Sequence, residues 1–247
     1  MVTLYIIGTP IGNLKDITLR ALEVLKEVDL ILCEDTRVTK KLLEHYQIKK
    51  PLLNYHQHSR LKKVNYILEL LKQGKNLALV SDAGTPGISD PGNLLVYEAI
   101  KRLVKEDRSS SSPFAAARVS DEVKIIPIPG PSAATAAASI SGFPMDKFLF
   151  LGFPPTKRKR KKFFEAVVKS KYPVIFYESP YRIIKSLRDL QLISKTYNLK
   201  PKIVVCRELT KKFETIYRGE IEEVIKEIEK DIIKGEFVII VESDRRR

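Results

Sequence analysis

The sequence has few of the residues that build disulfide frameworks and metal sites. Its 247 residues include two cysteines and three histidines. Cys33 and Cys206 each lie inside an apolar run, a setting typical of reduced core residues rather than of a disulfide. No cysteine or acidic cluster near His56 and His58 supplies a third ligand, so we predict no metal site. This cysteine usage favours a reducing, cytoplasmic compartment.

Long apolar runs are also lacking, and acidic residues are outnumbered by basic ones. No run reaches the roughly 20 apolar residues that a membrane helix needs. The chain starts in a strand-like segment without a charged leader, so we expect neither a membrane span nor export. Lysine and arginine number 44 against 30 aspartates and glutamates, which gives a net charge of +14. This surplus favours nucleic acid as a partner. The alternative is the lysine-rich solvated surface of heat-adapted proteins.

Short runs rich in valine and isoleucine alternate with segments of helical periodicity along the chain. This alternation predicts βα units and an α/β fold in which both faces of each sheet are covered. The predicted strands span residues 4–7, 30–33, 77–80, 124–128, 174–177, 203–206 and 237–241. The predicted helices span residues 18–28, 60–73, 93–104, 132–141, 158–170, 182–197 and 220–234.

Proline and glycine punctuate the chain near its midpoint. Pro129, Gly130 and Pro131 follow a predicted strand and indicate a hinge between two halves. We therefore predict two α/β domains, residues 1–129 and 130–247. Residues 105–122, just before this hinge, have a low-complexity composition and are interpreted as a flexible surface loop.

Three turn-rich segments that follow predicted strands are candidate ligand loops. Residues 8–14 carry two glycines but match neither the dinucleotide fingerprint nor a phosphate loop. Residues 81–92 hold three glycines, two prolines and two aspartates, more turn chemistry than a simple link requires. Residues 129–135 open a helix that Ser132 is suited to cap. Open α/β sheets bind ligands beyond the carboxyl ends of their strands, although each segment alone also fits a ligand-free turn.

Charged residues collect at the ends of other predicted strands. Asp35 and Arg37 follow one strand, Glu178 follows another, and Arg207 begins a charged run after a third. Such groups are costly to bury unless they are paired, so they form either salt-linked caps or a site. A run of consecutive basic residues at a predicted helix start favours phosphate contacts over a merely solvated face. This run consists of Lys157, Arg158, Lys159, Arg160, Lys161 and Lys162.

Taken in chain order, these segments resemble one family, the bacterial 16S ribosomal RNA (cytidine-2′-O)-methyltransferases of the tetrapyrrole-methylase superfamily. The likeness runs from residue 4 to residue 242. It is carried by GTPIGNL at 8–14, EDTR at 34–37, SDAGTPGISDPG at 81–92, PIPGPSA at 127–133, YES at 177–179 and RELTK at 207–211. The segment of residues 105–122 departs from the family pattern, because it is longer than the short link that the family has at this place.

The resemblance implies two α/β domains of the tetrapyrrole-methylase type, a homodimer, and S-adenosyl-L-methionine as cofactor in the interdomain cleft. It also implies 16S ribosomal RNA or the small ribosomal subunit as substrate, with cytidine 1402 as the target. By position, the residues that it implies for the cofactor are Pro10, Ile11, Asp82, Gly84, Thr85, Ile88, Ser132 and Ala133, with Phe176, Glu178 and Glu236 as weaker members.

Methyl transfer to a ribose hydroxyl requires that the hydroxyl lose its proton. A basic group, or a cation that stabilises the developing alkoxide, is therefore expected beside it. Acids and bases at the strand ends supply the catalytic candidates. They are Asp35 or Glu208 as the base, and Arg37, Arg207 or Lys211 as electrostatic partners.

Two alternatives fit parts of this pattern. A methyltransferase of a tetrapyrrole or another small molecule would share the fold, since fold does not fix function, but the basic surplus argues against it. A non-catalytic RNA-binding or ribosome-assembly protein would need the basic surface without intact cofactor loops. Cofactor binding separates this second alternative from an enzyme.

Overall fold

The computed structural model describes residues 1–56, 61–103 and 123–242. The predicted loop at 105–122 lies outside the described residues, as does His58. The chain divides into two compact units, Met1–Ser132 and Ala133–Arg247. Within the described ranges, no helix combines the length and the apolar character that a membrane crossing requires.

In its described ranges, the first unit contains a parallel sheet of five strands. The strands are β1 (Val2–Ile7), β2 (Leu30–Cys33), β3 (Leu52–Asn54), β4 (Leu77–Val80) and β5 (Val123–Ile128), in the order β3-β2-β4-β1-β5. Every pairing is parallel, so all five carboxyl ends lie at one edge of the sheet. Successive residues of β2 join separate apolar clusters, Ile31 one and Leu32 the other, because side chains alternate between the two faces.

Among the described residues of the first unit, four α-helices and one short 3₁₀ turn (Leu14–Asp16) cover this sheet. The helices are α1 (Leu19–Glu27), α2 (Thr36–His45), α3 (Leu61–Lys72) and α4 (Asn93–Leu103). The Thr18 side chain caps α1 by accepting a hydrogen bond of 3.2 Å from the Ala21 amide, which confirms the predicted start. Helix α2 was not among the predicted helices, and Asp35, for which the sequence left either a salt-linked cap or a site open, is its cap.

The second unit contains a mixed sheet. Its strands are β6 (Leu149–Phe150), β7 (Val174–Glu178), β8 (Lys202–Arg207), β9 (Thr215–Glu220) and β10 (Phe237–Val241), in the order β6-β7-β10-β8-β9. Of the described strand pairs in this unit, β6–β7 is parallel and the other three are antiparallel. The α/β class is confirmed, but this sheet is not built of βα units throughout, because β10 inserts antiparallel between β7 and β8.

The helices of the second unit pack on both sides of its sheet. They are α5 (Ala133–Ile140), α6 (Arg160–Val168), α7 (Ile183–Thr196) and α8 (Ile221–Lys230). Helix α5 contacts β7 and β10, whereas side chains of α6, α7 and α8 share an apolar cluster with Phe176 and Ile239. At the end of the sheet, Phe237 of β10 pairs with Glu178 on one side and with Arg207 on the other. The carboxyl ends of β7 and β8 therefore lie at the same edge.

Candidate functional site

Backbone hydrogen bonds join the loop after β1 to the loop after β4. The Thr9 amide donates to the Gly84 carbonyl at 2.8 Å, and the Gly84 amide donates back to the Thr9 carbonyl at 3.0 Å. The Thr9 hydroxyl also donates to the Ser81 carbonyl at 3.1 Å. Gly84 has a φ of +79°, a conformation that glycine adopts without a steric penalty. Two of the three candidate ligand loops thus form one structure.

The loop after β5 is the third part of this structure. The Thr85 hydroxyl donates to the Pro131 carbonyl at 3.4 Å, and the Gly8 amide donates to the Ile128 carbonyl at 3.1 Å. Gly8 and Gly130 approach so closely that a Cβ atom on Gly8 would lie 2.8 Å from the Gly130 Cα atom. Glycine at both positions is therefore required by contact between two backbones.

The segment after β2 joins the same edge through an aspartate. The Asp35 amide donates to Asp82 Oδ1 at 3.0 Å. The Asp35 carboxylate caps α2 by accepting from the Arg37 amide at 2.8 Å, and it pairs with the Arg37 guanidinium at 2.6 Å. The side chain of Asn54, the last residue of β3, donates to the Glu34 carbonyl. The carboxyl ends of the five described strands of the first unit are thereby linked.

The acids at this edge differ in basicity. The side-chain hydrogen bond from Arg37, with help from the Arg37 amide, lowers the pKa of Asp35 to about 2. Partial burial, reinforced by neighbouring carboxylates, raises the pKa of Glu34 and the pKa of Asp82. Asp35 is therefore ionised and paired at neutral pH, which makes it a weak proton acceptor. Asp82 is the more basic of these two aspartates.

Replacement of Asp82 by asparagine is expected to stabilise the protein at neutral pH. The pKa of Asp82 is higher in the folded protein than in the unfolded chain, where it is about 4. Ionisation of Asp82 therefore destabilises the folded protein, and this loss of stability develops as the pH rises from the unfolded pKa through the folded pKa. Asparagine still accepts from the Asp35 amide but carries no charge. We expect the Tm of Asp82→Asn to lie about 1–2 °C above the wild-type Tm at pH 7, a small increase because solvent screens this partly exposed carboxylate. At pH 3 we expect the two Tm values to be equal.

Thermal unfolding followed by circular dichroism across this pH range measures the difference. Asp146→Asn, which removes an exposed aspartate of the second unit, controls for the change in net charge. A Tm of Asp82→Asn that is lower than the wild-type value at pH 7 would contradict the assignment of Asp82 as a desolvated carboxylate.

In the second unit, three of the predicted residues form one ionic cluster. Lys211 Nζ lies 2.9 Å from Glu208 Oε1 and 2.8 Å from Glu236 Oε2. The Glu236 amide also donates to Glu208 Oε1 at 2.9 Å. Partial burial raises the pKa of Glu208, but the hydrogen bonds from Lys211 and from the Glu236 amide oppose it, so the net pKa lies below the usual value. The ammonium of Lys211 is thus held between two carboxylates.

Arg207 is buried and engaged within its own unit. Its Nη1 atom lies 2.7 Å from Asp231 Oδ2, and its Nε atom donates to the Lys234 carbonyl at 3.0 Å. These contacts fix the segment that follows α8 against the end of β8. The structure therefore gives Arg207 a supporting role in the fold, and we do not retain it as a catalytic candidate.

Two of the predicted cofactor residues have side chains inside the second unit. Phe176 is fully buried in the apolar cluster. The Glu178 carboxylate accepts from the Ser179 amide at 2.8 Å and from the Ser186 hydroxyl at 2.5 Å, and it pairs with Arg182 at 2.8 Å. Only the backbone of Phe176 and Glu178 is left to contact a ligand.

The basic run divides into exposed residues and one buried residue. Arg160 is 8% exposed, pairs with Asp189 at 2.7 Å and donates to the Ser186 hydroxyl at 2.8 Å. We therefore remove Arg160 from the proposed RNA-binding set, because its guanidinium belongs to the buried network around Glu178. The remaining members are exposed: Lys157, Arg158, Lys159, Lys161 and Lys162.

The other predicted residues lie on the joined loops of the first unit or at the start of α5. Pro10 and Ile11 are buried, Ile88 is 49% exposed, and Ser132 and Ala133 are partly exposed. The sequence-based set omitted Thr9, Ser81 and Glu34, which lie in the same structure. Their position inside the glycine-bearing and acidic motifs is the signal that pointed to them. In the part of the chain that the structure describes, no group of histidine, cysteine and acidic residues could hold a metal ion.

Comparison with solved structures defines the class of this fold. The methyltransferase CobJ superposes with a TM-score of 0.66 over 98% of this chain and 95% of its own, at 18% sequence identity. Cobalt precorrin-4 methyltransferase CbiF gives a TM-score of 0.60 over 97% of this chain and 94% of its own, at 20% identity. At such identities the likeness establishes the fold alone.

Sequence comparison then establishes the family. The model of the Tetrapyrrole (Corrin/Porphyrin) Methylases matches residues 3–105 and 109–225. The ribosomal RNA small subunit methyltransferase I of Thermotoga maritima is 42% identical over 96% of this chain and 97% of its own length. The protein of the same name from Mycoplasmopsis pulmonis is 45% identical over 97% of both chains. The chain belongs to the tetrapyrrole methylase family, in its ribosomal RNA small subunit methyltransferase I branch. The predictions of the family, of a methyltransferase and of S-adenosyl-L-methionine as its cofactor are confirmed.

Proposed function

We propose that this chain transfers a methyl group from S-adenosyl-L-methionine to the 2′-hydroxyl of a cytidine ribose in 16S ribosomal RNA, with cytidine 1402 as the target. The observation that carries the proposal is the joining of the three turn-rich loops at the carboxyl edge of the first sheet, in a chain whose relatives are named for methylation of small-subunit ribosomal RNA.

The joined loops have the chemistry that the cofactor requires. Gly84 and Thr85 bring backbone groups to the edge of the sheet, and Ile11 and Ile88 supply apolar surface. Asp82 offers a carboxylate that suits a hydroxyl or ammonium group. When bound, S-adenosyl-L-methionine supplies a methyl group on a positively charged sulfur. The loops orient that group, and alignment with the ribose hydroxyl provides part of the acceleration.

We assign separate tasks to the remaining catalytic candidates. Glu208 is the proposed proton acceptor although Lys211 lowers its pKa, because the Lys211 ammonium and the Glu236 amide both contact Oε1, whereas Arg37 engages both carboxylate oxygens of Asp35. Lys211 is the proposed cation that stabilises the developing alkoxide. Asp35 is better suited to holding Arg37 than to accepting a proton, because its pKa is about 2. The Arg37 side chain is 86% exposed despite this ion pair, so it remains accessible to an RNA phosphate.

The basic charge of the chain suits the RNA substrate. We propose that the exposed members of the basic run contact phosphates, since each contact releases counterions and strengthens binding at low salt. We further propose that the two domains, 1–129 and 130–247, carry the cofactor residues jointly, that the protein is a homodimer, and that it acts in the cytoplasm on the small ribosomal subunit.

The decisive experiment incubates the protein and labelled S-adenosyl-L-methionine with small ribosomal subunits that lack the modification. We expect label on one cytidine, located by nuclease mapping and mass spectrometry. Label that appears only on a tetrapyrrole substrate would identify the small-molecule alternative. Failure to bind S-adenosyl-L-methionine in calorimetry would identify the non-catalytic alternative.

The same assay tests the assigned residues in single-turnover form. We expect Lys211→Met to slow methyl transfer at least tenfold, because the cation beside the alkoxide is lost. Lys230→Met, which removes an exposed lysine of α8, is the matched control and is expected to leave the rate unchanged. Equal rates for wild type, Lys211→Met and Glu208→Gln would remove both residues from the mechanism.

A further inference from the structure

Two aromatic side chains of the second unit are unusually exposed. Tyr181 has 95% of its surface in solvent, and Phe213 has 67%. Exposed aromatic residues contribute little to the stability of a fold, because their apolar surface stays in contact with water. Their exposure therefore suggests a partner with flat, apolar surfaces.

The topology of the second sheet brings these aromatics to one edge. Tyr181 follows β7 and Phe213 follows β8, and the last residues of both strands pair with the same residue, Phe237. The cluster of Glu208, Lys211 and Glu236 lies on the same edge. Phe213 thus emerges from the loop that carries Glu208 and Lys211, and Tyr181 emerges from a loop at the same edge of the sheet.

The loops that carry the rings are ordered by hydrogen bonds. The Arg182 amide donates to the Ser179 carbonyl at 3.1 Å, and the Arg182 side chain pairs with Glu178, which fixes the turn around Tyr181. The Glu214 amide donates to the Lys211 carbonyl at 3.1 Å, which closes the turn that contains Phe213. Because these turns are ordered, the exposed rings are preorganised for binding, and little conformational entropy is lost when a ligand binds.

We propose that Tyr181 and Phe213 are stacking surfaces for unpaired bases of the RNA substrate. Proteins recognise unpaired RNA by stacking its bases on aromatic side chains, and such stacking tolerates any base because every base has a flat face. Lys212, whose ammonium lies 5.5 Å from the centre of the Phe213 ring, supplies positive charge for the adjoining phosphate. This proposal rests on the proposed function, since it takes RNA as the substrate.

The test measures binding of a single-stranded RNA oligonucleotide that carries the target sequence and the fluorescent base 2-aminopurine. We expect Tyr181→Leu and Phe213→Leu each to weaken RNA binding about 10-fold, and Tyr181→Trp to restore it, because an indole ring also stacks. Tyr172→Leu is the matched control, since Tyr172 is 41% exposed but precedes β7 and lies toward the opposite edge of the sheet. Quenching of 2-aminopurine on binding, lost in the leucine variants, reports the stacking itself.

Three results would overturn the proposal, and each leaves a clear interpretation. Unchanged RNA binding and quenching in both leucine variants would show that the rings do not stack on bases. If the leucine variants sediment as monomers where the wild type sediments as a dimer, and each protomer keeps its RNA affinity, the rings contact a second copy of the chain instead of RNA. Equal weakening in Tyr172→Leu would indicate a general loss of aromatic surface. Because the wild type is assayed for RNA methylation in parallel, failure of the proposed function would appear as absent label in the wild type.

Discussion

Replacement of Gly130 by alanine is expected to lower the free energy of unfolding by about 3 kcal/mol and to weaken binding of S-adenosyl-L-methionine at least tenfold. A Cβ atom at Gly130 would lie 2.5 Å from the carbonyl oxygen of Gly8 and 2.8 Å from its carbonyl carbon. Both are backbone atoms, so neither can rotate away as a side chain would. The loop after β1 must move, and with it the bridge between Thr9 and Gly84 that orders the proposed cofactor loops.

Urea unfolding and calorimetry measure the two effects of Gly130→Ala. Gly74→Ala is the matched control, because Gly74 has a φ of +87° but no atom within 4 Å of the position that a Cβ atom would take. This control loses only about 1–2 kcal/mol, because its left-handed backbone is strained for alanine, and it keeps wild-type cofactor affinity. Wild-type affinity in Gly130→Ala would show that the joined loops do not form the cofactor site.

Replacement of Glu178 by alanine is expected to destabilise the second unit by about 3–5 kcal/mol. The Glu178 side chain is fully buried, and its carboxylate satisfies the Arg182 guanidinium and the Ser186 hydroxyl. Ser186 in turn accepts a hydrogen bond from the buried Arg160. Removal of the carboxylate leaves the buried Ser186 hydroxyl without its acceptor and takes the charged partner from Arg182, which keeps only the Ser179 hydroxyl and the Pro154 carbonyl.

The free energy of unfolding in urea measures this loss. Glu229→Ala, which breaks the exposed ion pair with Arg188, is the control and is expected to cost less than about 1 kcal/mol. Glu178→Gln keeps one acceptor oxygen and is expected to fall between wild type and alanine. If Glu178→Ala and Glu229→Ala cost the same, the buried network does not hold the second unit together.

The strands that the sequence predicted are those with apolar runs, most of which are buried on both faces; β5, an edge strand, is only partly buried. Predicted bounds agree with the structure for β2, β4 and β10 and differ by one or two residues for β1, β5, β7 and β8. The strands β3, β6 and β9 were missed. The first two are only three and two residues long, and β9 is an edge strand with polar residues and a glycine. Such segments gain their structure from pairing with a neighbour, which no local pattern records.

Helix ends were predicted well where a local cap determines them and poorly where distant contacts do. Thr18 caps α1 within its own turn. Helix α8, predicted to extend to residue 234, ends at Lys230, because Asp231 is held by the side chains of Arg207 and Tyr217. Helix α2 was missed because Asp35 and Arg37 drew a functional interpretation, whereas the structure shows that Asp35 also caps that helix.

The candidate site was predictable to the extent that its residues lie in contiguous motifs. The three loops of the first unit were identified from their glycines, prolines and aspartates. The sequence did not predict whether an individual charged side chain is buried or exposed. Arg160 and Arg207 each stand in a charged run of the sequence yet are buried and paired with Asp189 and Asp231, partners 29 and 24 residues away. Only the tertiary structure distinguishes such arginines from their exposed neighbours.

The strand order of the first unit sets a sequence of events for a nascent chain. Val2 in β1, the first strand of the unit, pairs with Val123 in β5, its last described strand. Nearly the whole unit must leave the ribosome before β1 acquires that neighbour, so its carboxyl-edge loops are completed last. Until then, β1 has an unpaired edge open to chaperones and proteases. The newly made chain thus completes its proposed cofactor loops only after a delay set by the time that translation of the unit takes.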